Sequence, residues 1–282
     1  MMTVLAFVPA TLFASHYHNG ISVNFQGDTV TDCGQLRVTY DDEPAAHAEE
    51  VVNIGSPRSL TIRAPQNGGI AVGTSDRYEV RACKAAAPDV SLNDIRVHYD
   101  GAELTADGPE GGEWVVYFLV SAPRGASLDL SAHNGPISLR HVDGTVTAHA
   151  VNGPISLRDT SGTLNIETTN GPISIDGGSG NAKLNATNGP VSVRLRGATW
   201  DGSLDARTEN GPVSLRIPPS FRSGVVVESD GRGPVSCHAD VCQNAKRSFD
   251  DDENRRIEIN SGPTAVHLST VNGPVSVKSS EE

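Results

Sequence analysis

From Ser127 to Val277 the apolar residues of this chain fall in pairs one residue apart, and the pairs recur at a near-constant interval. The marker is Asn-Gly-Pro-(Ile/Val)-Ser-(Leu/Ile/Val), beginning at Asn134, Asn152, Asn170, Asn188, Asn210 and Asn272, with degenerate copies at Arg232-Gly233-Pro234-Val235-Ser236 and Ser261-Gly262-Pro263. Its glycines lie at 135, 153, 171, 189, 211, 233, 262 and 273, spaced by 18, 18, 18, 22, 22, 29 and 11. Relative to each Asn, offsets −6 and −4 hold Leu128 and Leu130, Val146 and Ala148, Leu164 and Ile166, Ala182 and Leu184, Leu204 and Ala206. Offsets +3 and +5 hold Ile137 and Leu139, Ile155 and Leu157, Ile173 and Ile175, Val191 and Val193, Val213 and Leu215, with a serine between each pair. A period of two means strands with one buried face. A recurrence near 20 residues means a repeat architecture.

Each repeat thus predicts two short strands with Asn-Gly between them. Asn-Gly normally closes a two-residue hairpin. Here the next residue is Pro, which lacks the N–H that closing bond needs, although Pro is acceptable as the first residue of a strand. The tripeptide is therefore expected to be a corner between two sheets, each strand stacking on its equivalent in the next repeat. The predicted fold is an all-β solenoid, or β-helix, with rungs of ~18–22 residues about 4.8 Å apart. Stacked asparagine amides would bond along the axis. The Ser column is expected to be a small polar face. A serine nucleophile needs a base and an orienting group within reach, and no repeat places His and Asp beside it consistently.

Residues 16–126 alternate less regularly, as at Cys33–Asp42, Val51–Ile54, Leu60–Ala64, Gly69–Val72, Tyr78–Cys83 and Trp114–Val120, with an Asp100-Gly101 turn. They read as irregular rungs or a cap before the regular solenoid of 127–282. Two rungs are lengthened, around Trp200 and around Pro218, Pro219 and Phe221, and 237–256 is the largest insertion. Ile257–Ile259, Thr264–Thr270 and Val275–Val277 are expected to close the stack. Specificity is expected in outward residues that differ between rungs, such as His149, Glu167 and Arg207, and in the loops around Trp200, Phe221 and Asp250–Glu253.

Among 282 residues, 29 are glycine and 5% aromatic, which fits a narrow core of Val, Ile, Leu and Ala. Of the formal charge of −12, residues 1–126 carry −8 (16 acids, 8 bases) and the remainder −4 (18 acids, 14 bases). No basic stripe exists by this count, which argues against nucleic-acid binding through phosphates. Cys33, Cys83, Cys237 and Cys242 match no zinc spacing. Their even number suits two disulfides in an exported protein, with Cys237–Cys242 the first expected pair and Cys33–Cys83 the second. Cys237-His238-x-x-x-Cys242 as a metal site lacks a fourth ligand, and the acids at Asp250–Glu253 lack the alternation of a calcium loop. His16 and His18 alone make no metal site. Met1–Ala14 is uncharged and apolar, too short to span a membrane; it reads as a signal-peptide remnant or as an N-terminal strand.

On these repeats, on Tyr117-Phe118-Leu119-Val120-Ser121-Ala122-Pro123-Arg124-Gly125-Ala126-Ser127-Leu128-Asp129-Leu130, and on Leu60–Pro65 with Asn67–Val72, the chain resembles a bacterial family of putative-adhesin domains of unknown function over roughly residues 50–280. The resemblance implies an exported β-helix-like protein with no catalytic residues and no cofactor to carry over. The expected role is a non-enzymatic binding or scaffolding module at the cell envelope, whose partner is an unidentified protein or glycan. The alternatives are a polysaccharide-acting enzyme and a structural module of an envelope assembly or signalling system. A glycosidase needs two facing carboxylates, and offsets −3 (Ser131, His149, Glu167, Asn185, Arg207) and −5 (Asp129, Thr147, Asn165, Lys183, Asp205) supply no acid pair.

Overall fold

The computed structural model describes residues 15–16, 21–25, 32–40, 43–231, 233–249 and 255–280. The expected signal segment, His18 and the acidic run Asp250–Glu253 lie outside the described residues. The period of two becomes strand as predicted. Gly180–Asn188 buries Ala182, Leu184 and Ala186, the chain turns at Asn188-Gly189-Pro190, and Val191–Arg194 buries Val191 and Val193. Strands before each corner form one parallel sheet and strands after it form a second. Ile155 stands opposite both Ile137 and Ile173, in the register that a solenoid requires. The inner faces of the two sheets share one aliphatic core.

The corner accommodates Pro because the rung uses its carbonyl instead of an N–H. The Ile155 N–H donates to Pro172 O, Ile173 to Pro190 and Val191 to Pro212, at 2.9–3.0 Å. The glycine before it is required by a close approach. A Cβ on Gly171 would overlap the carbonyl of Gly153, and Gly153, Gly189 and Gly211 meet the same obstacle one rung back. A second glycine column, Gly144, Gly162, Gly180 and Gly202, forms the opposite corner under the same constraint. It lies eight residues before each Asn, a period visible in the sequence but not among the positions it singled out.

Chain order and stack order differ at both ends. The rung of Ser59–Arg63 and Gly69–Thr74 lies between that of Glu103–Asp107 and Trp114–Ala122 on one side and that of Ala126–Ala132 and Ile137–Arg140 on the other. At the far end, Thr264–Asn272 and Val275–Ser279 insert between the rung of Gly202–Asn210 and Val213–Ile217 and that of Gly224–Ser229 and Val235–Cys237. This corrects the expectation that Thr264–Thr270 and Val275–Val277 close the stack; of the three segments expected there, Ile257–Ile259 alone lies outside the last parallel rung. The insertion also accounts for the irregular glycine spacings of 29 and 11, because Gly273 packs on Gly211 and Gly233 packs on Gly273.

Beyond these rungs the pairing becomes antiparallel. Ala46–Val52 and Glu79–Ala86 continue the second sheet past Trp114–Ala122, and Arg96–Tyr99 flanks Glu103–Asp107 in the first. At the other end Arg255–Ile259 and Lys246–Phe249 extend the first sheet past Gly224–Ser229. A small antiparallel sheet of Ser15–His16, Ile21–Phe25, Leu36–Tyr40 and Glu43–Pro44 completes the fold. Its Leu36, Val38 and Tyr40 pack over Val115, Tyr117 and Leu119. Cys33 and Cys83 form a disulfide with Cα atoms 5.4 Å apart, joining this layer to the stack. Cys237 and Cys242 form the other, at 5.8 Å; with both sulfurs so bonded, neither thiolate is available to a metal at His238.

Candidate binding face

The corner and the outer surface of the second sheet after it repeat four columns in register: Asn, which ends the strands of the first sheet, then Pro, Ser and a charged residue. The Asn column is a hydrogen-bonded ladder of seven. Each Nδ2 donates to the Oδ1 one rung back, from Asn272 through Asn210, Asn188, Asn170, Asn152 and Asn134 to Asn67, at 2.9–3.2 Å. An amide has two donors and two acceptor lone pairs, so the inner rungs use one N–H and one side of the carbonyl on their neighbours. Beneath the ladder, the hydroxyls of Thr168, Thr208 and Thr270 donate to the carbonyls of Gly153, Gly189 and Gly211, which stiffens the corner. The serines Ser138, Ser156, Ser174, Ser192, Ser214 and Ser276 are half-buried, and Ser214 donates to Ser192 at 3.0 Å.

The fourth column alters the electrostatic picture drawn from the linear sequence. Arg140, Arg158, Asp176, Arg194, Arg216 and Lys278 stand opposite one another in successive strands. Five of six positions are cationic. Arg196 reaches over the one acid, with Nε and Nη2 each 2.8 Å from an Asp176 oxygen and Nη1 3.2 Å from Asp159. The hydrogen bond to Asp176, and then the charges of Asp176 and Asp159, raise the pKa of the Arg196 guanidinium. The earlier inference that no basic stripe exists is therefore corrected: a line of six cations against two carboxylates runs along one edge of a chain whose net charge is −12. The rung period hid it, because its members are 18 to 62 residues apart in sequence. Like charges directly opposite in a sheet are destabilising, so packing alone does not call for this line.

The outer face of the first sheet is mixed. His149 and Glu167 are exposed there, and Arg207 pairs with Asp230 at 3.5 Å. Because Thr264–Asn272 sits between Gly202–Asn210 and Gly224–Ser229, His267 comes between Asp205 (3.1 Å) and Glu228 (2.6 Å). Glu228 also accepts from Arg256 at 3.0 Å, and Arg256 donates to Glu258 at 2.9 Å. These bonds, Glu258 foremost, raise the Arg256 pKa. Sequence reading missed this network because it treated adjacent chain repeats as adjacent rungs. Each carboxylate in it has a cationic or imidazole partner, as have Asp159 and Asp176, which is the pattern of a charge lattice.

Two residues singled out for display are not displayed. Trp200 is 5% and Phe221 2% exposed. The indole N–H donates to Gly180 O at 3.0 Å, and both rings pack into the common core. The lengthened rungs thus use their aromatic residues to seal the side of the stack. Elsewhere, Glu50, Lys84, Ile95 and His98 line an open depression of about 520 Å³. Lys84 is nearly buried there, but its ammonium donates to Ile95 O at 2.7 Å and pairs with Glu50, which satisfies it. No group of metal-ligating side chains occurs among the described residues.

The Toastrack DUF4097 family model matches residues 18–278. No curated protein matches the chain. Similar solved structures include a putative cell adhesion protein from Clostridium sporogenes, 13% identical over 84% of this chain and 100% of that one, TM-score 0.33. A putative adhesin from Bacteroides fragilis is 10% identical over 83% and 97%, TM-score 0.36. A putative lipid binding protein from Parabacteroides distasonis is 8% identical over 83% and 97%, TM-score 0.24. With nearly its whole length matched by one family model, and with the stacked parallel sheets on the page, the chain belongs to the Toastrack DUF4097 family.

Proposed function

We propose that this chain is an exported, non-enzymatic module that binds a partner at the cell envelope along the outer face of its second sheet. The observation that carries the reading is the repetition of that face in register. Eight parallel strands, from Gly69–Thr74 to Val235–Cys237, span roughly 34 Å at ~4.8 Å per strand. A rigid repeated surface is what solenoids offer to extended partners. Two disulfides are at home in an oxidising compartment, which supports export. No helix among the described residues is long and apolar enough to cross a membrane.

The test is co-sedimentation of the purified, oxidised protein with isolated bacterial envelopes. Saturable binding that survives washing at physiological salt is expected. Absence of saturable binding, or turnover of an envelope component by the purified protein, would overturn the proposal.

A further inference from the structure

The cationic line calls for a more specific partner. Arg140, Arg158, Arg194, Arg216 and Lys278 project from the same face, one strand spacing apart, save where Asp176 and its cover Arg196 intervene. Arg194, Arg216 and Lys278 occupy three successive rungs and are exposed, Arg194 with one guanidinium nitrogen 4.0 Å from Asp176. Beside them runs the serine column, and beyond it the prolines. A ligand lying here meets a row of charge-assisted donors on one flank and a row of hydroxyls, donor and acceptor both, on the other.

We propose that this edge is a binding track for an acidic polysaccharide of the uronic-acid class, laid along the solenoid axis. The inference rests on the binding-module reading above and names its ligand. Guanidinium groups form planar forks that match carboxylates bidentately. Serine hydroxyls suit the hydroxyls of a sugar ring. An extended pyranose chain advances per sugar by about one strand spacing of ~4.8 Å, and because its carboxylates project to alternate sides, every second sugar offers a carboxylate to the cation of every second rung. The face argues against other polyanions. Its columns are Asn, Pro, Ser and charged residues; among the described residues they carry no aromatic side chain on which nucleic-acid bases could stack, and the apolar column, the proline rings, is too short to enter a bilayer. The ends of the track are set by the fold. The layer of Leu36, Val38 and Tyr40 covers the outer face at Tyr117 and Leu119, and beyond Lys278 the face passes to His238 and Asp240.

The experiment measures binding of fluorescein-labelled oligogalacturonate to the full, oxidised chain by anisotropy. Competitors are methyl-esterified oligogalacturonate, inorganic polyphosphate, single-stranded DNA and vesicles of anionic phospholipid. The expected result is binding that weakens with salt, is competed by unlabelled oligogalacturonate, and is not competed by the ester. The double variant Arg194→Glu/Arg216→Glu should weaken it roughly tenfold or more, as loss of close charge pairs does. Lys183→Glu on the other sheet should leave it unchanged. Because these arginines point outward, the variants should keep the wild-type unfolding midpoint; Arg194→Gln/Arg216→Gln serves if the charge reversal disturbs folding. Equal affinity for all polyanions, preference for polyphosphate, DNA or vesicles, or an unaltered Kd in the double variant would overturn the assignment. If wild-type protein sediments with envelopes but ignores oligogalacturonate, the polysaccharide assignment falls and the binding module stands. If wild-type protein does neither, both fall.

Discussion

Replacing Gly171 with alanine separates the two reasons for which a chain keeps glycine. Gly171 is not among the glycines with positive φ, so alanine can adopt its backbone conformation. What it cannot do is fit, because its Cβ would overlap the carbonyl oxygen and carbon of Gly153 on the rung before. Those atoms are backbone and cannot swing aside, so two rungs must part. The bonds at risk join these two rungs: Asn170 N–H to Val151 O (2.7 Å), Ile155 N–H to Pro172 O (2.9 Å) and the buried Thr168 hydroxyl to Gly153 O (3.2 Å). A buried group left unsatisfied costs about 1–3 kcal/mol, so loss of two such bonds costs roughly 2–6 kcal/mol on that scale. Reduced freedom of the unfolded chain returns only about 0.4–1 kcal/mol. The expected net loss is thus about 1–5 kcal/mol. Gly197→Ala is the opposite control. Gly197 has φ of 69° and open space around its Cβ position, so its cost is the left-handed conformation alone, about 1–2 kcal/mol before the same offset. Urea unfolding followed by fluorescence of buried Trp200 reads both. With a mid-range slope of about 2 kcal/mol per molar, the Gly171 variant should lose about 0.5–2.5 M in midpoint relative to wild type. A loss no larger than that of Gly197→Ala would show that the rungs can breathe apart and that the close-approach argument is wrong.

Ile173→Ala, which empties a fully buried site, should cost ~2–5 kcal/mol in the same assay. Asn170→Ala should cost less, ~1 kcal/mol for its exposed ladder bonds, and leave oligogalacturonate affinity unchanged; abolished binding at unchanged stability would make the ladder itself the site. Reduction should loosen the layer held by Cys33–Cys83, which closes a 50-residue separation, more than the turn held by Cys237–Cys242, which closes 5; hydrogen exchange should report faster protection loss at Leu36–Tyr40 than at Asp240–Asn244. Asp100 accepts the N–H groups of Glu103 and Ala102, and those bonds lower its pKa below the ordinary 3.8. A depressed carboxylate stabilises the fold above its unfolded pKa and loses that effect as pH falls through the folded one, so amide shifts at Ala102 and Glu103 should titrate below pH 3.8, and Asp100→Asn should remove the titration.

The parts of the fold legible in the sequence are those set by local chemistry. Period-two alternation at Ile173-Ser174-Ile175 requires one buried face, and Pro after Asn-Gly removes the donor of a hairpin, which leaves a corner. Both hold in the six rungs that carry Asn-Gly-Pro. The asparagine ladder followed from stacking identical amides, although its first member, Asn67, lies in an Asn-Gly-Gly stretch where no Pro marks the repeat. Rung adjacency was not legible. Nothing local to Thr264–Asn272 states that it pairs with Gly202–Asn210 and Gly224–Ser229 at once, so the meeting of Asp205, His267 and Glu228 could not be read from chain neighbours. The cationic edge was in principle readable, since offset +6 from each Asn gives Arg140, Arg158, Asp176, Arg194, Arg216 and Lys278. Counting charge along the chain averages such a column away, whereas counting it by offset reveals it. Trp200 and Phe221 were misassigned because a lengthened rung was taken for an outward loop, when a large side chain in it can fold back and cover the core.

The two ends show why chain order departs from stack order. A solenoid pairs every backbone group except those of its outermost strands, and such edges invite pairing with other chains. Were the first and last rungs in sequence also outermost, each would be held on one side only and joined to the rest by a single connection, free to peel. In this molecule the chain passes outward, builds the end rung, and returns. Ser59–Arg63 and Gly69–Thr74 are clamped between neighbours on both sides, as are Thr264–Asn272 and Val275–Ser279. The outer rungs are internal chain segments tethered at both ends, and antiparallel strands extend beyond them. The same manoeuvre at both ends is a solution to a shared physical problem. It also explains why the repeat signature fails where it does. Strands that only stack can share one motif, whereas segments that must leave the stack, turn back and cover an edge need different lengths and different outward residues. The regular middle therefore carries the uniform face with its Ser and cationic columns, and the irregular ends hold that face straight enough for an extended ligand to meet several rungs at once.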